Sequence, residues 1–149
     1  MLDGAEASTN QVIKYISFYL NIICGGSLPY ADTDFFIALM DENDRLNKWA
    51  RDAYREYRGR IFTSLAVVLE LLLVTRRLSV PAKEVIDQLL NTAVVTGVDA
   101  IKVLLAAEYI DKQKLGVFDA FHAALCDGEI ISSDHAYDRL EIRRIAPRS

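Results

Sequence analysis

Apolar positions along the chain follow two alternating patterns. Short apolar runs bounded by polar or turn residues predict strands: "LPYA" ending at Asp32, "RIFTS" at 60–64, "AVVTGV" at 93–98, "EIISS" at 129–133 and "EIRRIAP" at 141–147. Between them, apolar residues recur at helical spacing. "DFFIALM" predicts a short helix, and "NDRLNKWARDAYREYRGR" puts Leu46, Ala50, Ala53 and Tyr57 on one face. "TSLAVVLELLLV", Thr63 to Val74, predicts a buried helix running to about Arg77. "SVPAKEVIDQLLN" carries Pro81 near a helix start, where a missing N–H costs nothing. "AIKVLLAAEYIDKQ" is capped by Asp99, "GVFDAFHAALCDG" closes at Gly128, and "DHAYDRL" predicts a helical turn. A further helix, about Asn10 to Cys24, stops at "GGS".

Strands alternating with helices predict an α/β domain with a mainly parallel sheet, and crossover handedness then covers both faces with helices. A chain of 149 residues is one ordinary domain and buries its own core. Its division is an N-terminal extension, residues 1–27, and a domain over 28–149. In such sheets ligands gather outside the carboxyl ends of the strands, so polar residues just after strands carry the most weight.

A net charge of -4 argues against nucleic-acid binding through overall charge. Arg45, Lys48, Arg51, Arg55 and Arg58 share one helix side and read as a solvated face. Cys24 and Cys126 lack any CxxC context, which predicts reduced thiols and a cytoplasmic protein. The apolar stretches fall short of the ~20 residues that span a bilayer, so no membrane association is expected. Asp3 and Glu6 against a single Lys14 also make a poor signal-peptide start.

One charge stands out. Glu70 lies in "TSLAVVLELLLV", and its helical neighbours one turn away are Ala66, Val67, Leu73 and Val74, none of which pairs with a carboxylate. An ionised carboxylate unpaired in an apolar core costs several kcal/mol. An Arg from elsewhere, a neutral acid or a bound metal would each remove that cost.

Three other acids fall near the same sheet edge. Asp32 closes the first strand, Asp134 follows "EIISS", and Asp119 lies in the first turn of "VFDAFHAAL". Taken singly, Asp119 is explained by the helix dipole, Asp134 as a cap and Asp32 as loop polarity. A metal explains all four. Mg2+ or Mn2+ prefer hard oxygen ligands and offset repulsion among converging carboxylates. With only His122 and His135 and no thiolate pattern, zinc does not fit. Such an ion makes water nucleophilic near neutral pH and stabilises charge on a phosphate, the chemistry of a nuclease. If metal relieves the cluster, neutralising Glu70 should stabilise the metal-free protein. His122, three residues after Asp119, reads as a hydrogen-bonded structural residue ahead of a substrate contact, and His135 as a surface residue.

The acids and their surroundings resemble the PIN-domain ribonucleases, particularly the VapC-like toxins of prokaryotic toxin-antitoxin pairs. The matching pieces are "ADTDFFIAL" with Asp32, "TSLAVVLE" with Ser64 six residues before Glu70, "VFDAFHAAL" with Asp119, and "IISSDHAY" with Asp134. They run from about Leu28 to Pro147 in the family's order. The resemblance implies a three-layer α/β/α sandwich and a Mg2+- or Mn2+-dependent endoribonuclease. It implies that Asp32, Glu70, Asp119 and Asp134 form the catalytic and metal-binding set, with Ser132 or Thr33 assisting through hydroxyl contacts; Asp34 and His122 are further candidates to assist. It also implies an RNA substrate, an antitoxin partner and a homodimer.

Two features depart from the pattern: 27 residues precede the first strand, and Asp34 stands in "DTD" where Asn or Ser commonly follows the Thr. Phe35, Phe36, Trp49, Tyr54 and Tyr57 would line a groove for an antitoxin helix or belong to the core, the core being favoured for Phe36 and Trp49. The alternatives are an RNA-processing PIN nuclease without antitoxin and an inactive PIN-like module binding RNA or protein. "DTDFF" also resembles the DxD motif of haloacid-dehalogenase-type phosphatases, but "DGEIISSD" lacks the acid motif that chemistry requires.

Overall fold

The computed structural model describes residues 3–148. Its strands are β1 (Tyr30–Ala31), β2 (Phe62–Ser64), β3 (Val94–Thr96), β4 (Glu129–Ile131) and β5 (Arg143–Ile145). Its helices are α1 (Asp3–Ile23), α2 (Thr33–Met40), α3 (Asn47–Tyr57), α4 (Leu65–Leu78), α5 (Ala82–Thr92), α6 (Ala100–Gln113) and α7 (Val117–Leu125), and a 3-10 turn spans His135–Arg139. Two strands run straight into helix caps. The Asp32 carboxylate accepts from the Phe35 N–H at the start of α2, and the Ser64 hydroxyl from the Ala66 N–H at the start of α4. Asp99 caps α6 as its sequence predicts, accepting from the Lys102 N–H at 2.9 Å.

All five strands are parallel, in the order β3-β2-β1-β4-β5. Tyr30 stands opposite Phe62 on one side and Ile130 on the other. The chain builds outward from β1 to β3 and then returns to the far side of β1, so its direction reverses between β1 and β4. Right-handed crossovers put α2 to α5 on one face and the packed pair α6–α7 on the other, which gives three layers. The reversal opens a crevice at the carboxyl ends of β1 and β4, where the Asp32 N–H bonds to the Ile131 carbonyl at 3.3 Å.

Tyr30, Phe35, Phe36, Ile61, Val67, Leu71, Leu89, Ile130 and Ile131 form the core, each at most 1% exposed. Each such side chain contributes about 1.5–3 kcal/mol. One expectation is corrected and one open alternative is decided. Helix α4 is only half-buried: Ala66, Val67, Leu71 and Thr75 face inward, while Leu65, Leu69 and Leu73 are 48%, 50% and 57% exposed. An outer-layer helix covers the sheet with one stripe, so an almost wholly apolar sequence leaves the other side in solvent. The aromatic set, left open between groove and core, belongs to the core among the described residues. Phe35, Phe36 and Tyr57 are buried, and Trp49 packs edge-on against Phe35 with centroids 6.2 Å apart.

The basic side of α3 is a solvated face, where Lys48 and Arg55 pair with Asp52. Helix α1 rests on the β2–β3 side of the sheet. Phe18 packs against Phe62, Gln11 and Lys14 donate to the Leu90 carbonyl, and burial lowers the Lys14 ammonium to about 8. Cys24 is exposed, Cys126 is buried, and both are free thiols. Among the described residues, no helix is long and apolar enough to cross a membrane.

Candidate active site

Asp32 follows β1, Asp134 follows β4 and Asp119 lies in the first turn of α7, while Glu70 lies in the second turn of α4. Asp32, at the end of β1, is buried beside the start of α2. Burial raises its pKa well above the usual carboxylate range, and the neighbouring Asp34 carboxyl, through hydrogen bonding and charge, adds to the rise. Asp34 Oδ2 accepts from the Ser133 N–H at 2.8 Å and from the Ser133 hydroxyl, which pins the start of α2 to the loop after β4. Among the described residues, its buried Oδ1 has no hydrogen-bond partner.

Ser132 and Asp134 are held by that loop. The buried Ser132 hydroxyl accepts from the Asp134 N–H at 3.0 Å, and the Asp134 carboxylate caps the 3-10 turn by accepting from the Ala136 N–H at 2.8 Å. Asp119 lies in the first turn of α7. An added Cβ at Gly116, the residue that starts this helix, would meet Asp119 Oδ2 at 3.1 Å, so glycine leaves the carboxylate its room. Burial raises the Asp119 carboxyl, as do the charges of Asp134 and Glu70, while His122 and the Tyr137 hydroxyl pull the other way.

Glu70 is where the sequence reading changes most. Its carboxylate is not unpaired: Oε2 accepts from the Thr33 hydroxyl and lies 2.9 Å from His122 Nε2. Burial alone would raise its pKa, but the hydrogen bonds from His122 and Thr33 outweigh it and hold the group below the usual range. His122 is 2% exposed, with Nδ1 2.9 Å from the Tyr30 hydroxyl, which is 2.7 Å from Ser64 Oγ. His122 is therefore the hydrogen-bonded residue expected. His135 is a surface residue, paired with Asp138 at 2.9 Å.

Sequence reasoning missed three participants. Tyr30 sits in the first strand motif with no sign in its pattern of a polar role. Ser133 was passed over beside Ser132. Tyr137, in "DHAY", is fully buried, and its hydroxyl has no partner at hydrogen-bond distance among the described residues. Burial and then the charges of Asp32, Asp119 and Asp134 push its pKa up.

The donors available are carboxylates and hydroxyls, a set that suits a hard divalent cation. Two raised carboxyls and an orphaned Asp34 oxygen are costs that such a cation relieves. Among the described residues, no three acidic, His or Cys side chains stand close enough to cage an ion by themselves.

The sequence matches the family described as PIN domain over residues 30–142. The chain belongs to the PIN-domain family. This PIN domain takes in all four acids and begins at β1, which leaves α1 outside the match. Among solved structures, it is similar to Mycobacterium tuberculosis VapC20, a Sarcin-Ricin loop cleaving toxin. The TM-score is 0.64 and the identity 21%, over 76% of this chain and 98% of that chain. A comparison with curated proteins finds no match.

Proposed function

We propose that this PIN domain is a metal-dependent endoribonuclease and the toxin of a toxin-antitoxin pair. The observation that carries the reading is the gathering of acids from four distant segments at the β1–β4 crevice, with Asp32 and Asp119 both held above the usual carboxylate range. Likeness in fold to a Sarcin-Ricin loop cleaving toxin supports RNA as the substrate and the toxin role.

Asp32 and Asp119 would hold Mg2+ or Mn2+ together with water and the substrate phosphate, with Asp134 and Glu70 lining the same edge. When bound, the ion offsets their repulsion, supplies a nucleophile from water near neutral pH and stabilises charge on the scissile phosphate. The chain's own residues set the geometry. The N-cap position fixes Asp32, the Ser132 hydroxyl and the 3-10 turn fix Asp134, and Thr33 steers Glu70. Glu70 keeps 29% of its side chain exposed, so the site is open to a phosphodiester from that side.

Residues 1–27 are an added element outside the nuclease domain of residues 28–149, and the protein works in the cytoplasm. The exposed leucines of α4, with Ile101 and Leu104 of α6, support association with an antitoxin and a second copy, because monomers rarely leave so many large apolar side chains in solvent.

The test is cleavage of a structured RNA with Mg2+, Mn2+ or EDTA. Cleavage should require the ion, vanish in EDTA and fall by more than about 100-fold in Asp119→Asn. Cleavage that persists in EDTA, or at parental rate in that variant, would refute the mechanism.

A further inference from the structure

The buried chain Ser64–Tyr30–His122–Glu70 links the end of β2, the centre of the sheet, α7 and α4, and nothing in the metal chemistry above uses its first three members. Its hydrogens are constrained. Ser64 Oγ already accepts from the Ala66 N–H at 3.2 Å, and Tyr30 has one hydrogen for two neighbours. If Ser64 donates to Tyr30 and Tyr30 donates to His122 Nδ1, then Nδ1 is an acceptor and Nε2 carries the ring hydrogen, aimed at the Glu70 carboxylate. In the reverse order a neutral ring presents a bare Nε2 to a carboxylate oxygen 2.9 Å away, two lone pairs facing each other. Only the first order satisfies every group with a neutral ring.

We infer that His122 is a positioning residue for Glu70. Through Nε2–H it holds the carboxylate turned toward the acidic edge, and the Tyr30 hydroxyl, itself held by Ser64, satisfies the Nδ1 acceptor that this tautomer leaves. The inference rests on the nuclease reading for what Glu70 is positioned to do. Two features explain why α4 alone does not suffice. Leu69 and Leu73, on either side of Glu70, face solvent, so with Thr33 as its one remaining described donor the carboxylate is freer to swing outward. Helix α7 also delivers both Asp119 and, one turn later, His122, so one rigid element sets the distance between two acids from different parts of the chain.

Two readouts test this. In the metal-free protein, 15N resonances of the two histidines, separated with His135→Asn, should show His122 protonated at Nε2 and bare at Nδ1. Tyr30→Phe keeps the ring and its packing but removes the donor that holds Nδ1, so the His122–Glu70 hydrogen bond should loosen, read as faster exchange of the Nε2 proton. A parental His122 protonated at Nδ1 would overturn the inference. Mn2+ affinity, read by electron paramagnetic resonance on variants checked for a retained melting transition, should fall about 10–100-fold in His122→Phe. His122→Gln, whose amide can donate from near the Nε2 position, should stay within a few-fold of the parent. Equal affinity in all three proteins would overturn positioning while leaving the nuclease reading intact, as would equal loss in both variants. If His122→Phe does not fold, Tyr30→Phe carries the same comparison, with weaker Mn2+ binding expected and parental binding overturning the role. A parent that takes up no Mn2+ would instead refute the metal reading itself, and the tautomer result would still decide how Glu70 is held.

Discussion

Glu70 Oε2 lies 2.9 Å from His122 Nε2, across 52 positions of sequence. The pairing reverses the expectation that Glu70 burdens the metal-free fold. Because two donors hold its pKa down, Glu70→Gln should destabilise the metal-free protein, by about 1–2 kcal/mol for hydrogen bonds to a charged group. Urea unfolding measures this, and a Glu70→Gln midpoint above the parent's would show that the carboxylate is a net cost after all.

Asp32 and Asp119 have the opposite sign. Their folded pKa values are raised, so the folded state binds more protons than the unfolded state. Their contribution is fully present below the ordinary Asp value of about 4 and is lost as pH rises through the raised values. The metal-free melting temperature should therefore fall as pH goes from about 5 to 7, and Mn2+ should restore it at pH 7 by binding only the folded state. Asp32→Asn should flatten that fall and weaken the Mn2+ response. At the acid end Asp138, held down to about 2 by Arg144 and His135, contributes stability above about 4 that is lost as pH drops toward 2. Calorimetric scans across this range check both limbs, and a parent that gains stability from pH 5 to 7 without metal would contradict the burial of Asp32 as an acid.

Arg144 ties the last strand to the loop that carries Asp134. Its side chain, 9% exposed, donates from Nε and Nη2 to Asp138 at 2.6 and 2.8 Å and from Nη1 to the Ser132 and Ser133 carbonyls at 3.3 and 3.4 Å. Arg144→Met keeps the apolar stem and removes those bonds. Amide exchange over residues 132–138 should quicken, and RNA cleavage should slow about 10-fold with every acid in place. Unchanged exchange would show that the loop is held by Asp34 and Ser133 alone.

How far the sequence could be read follows from the range of the forces involved. Strand runs, the Asp99 cap and the acids at strand ends are local patterns, and each appears where its residues predict it. The half-burial of α4 is not legible because an apolar sequence does not say how many sides of a helix the fold covers, and Leu65, Leu69 and Leu73 lie on the uncovered one. Glu70 looked partnerless because its partners, Thr33 and His122, are 37 and 52 residues away. Tyr30 and Tyr137 looked like core because most of each side chain is core. Only the hydroxyl, at the end of a buried ring, belongs to the site.

The most direct measurement is anomalous diffraction at the manganese edge from crystals of the parent protein soaked in Mn2+. The expected result is a peak within about 2–2.5 Å of carboxylate oxygens of both Asp32 and Asp119, lost in Asp119→Asn crystals. A saturating soak that leaves the β1–β4 crevice empty, in a protein that still cleaves RNA, would contradict a metal centre built on these acids.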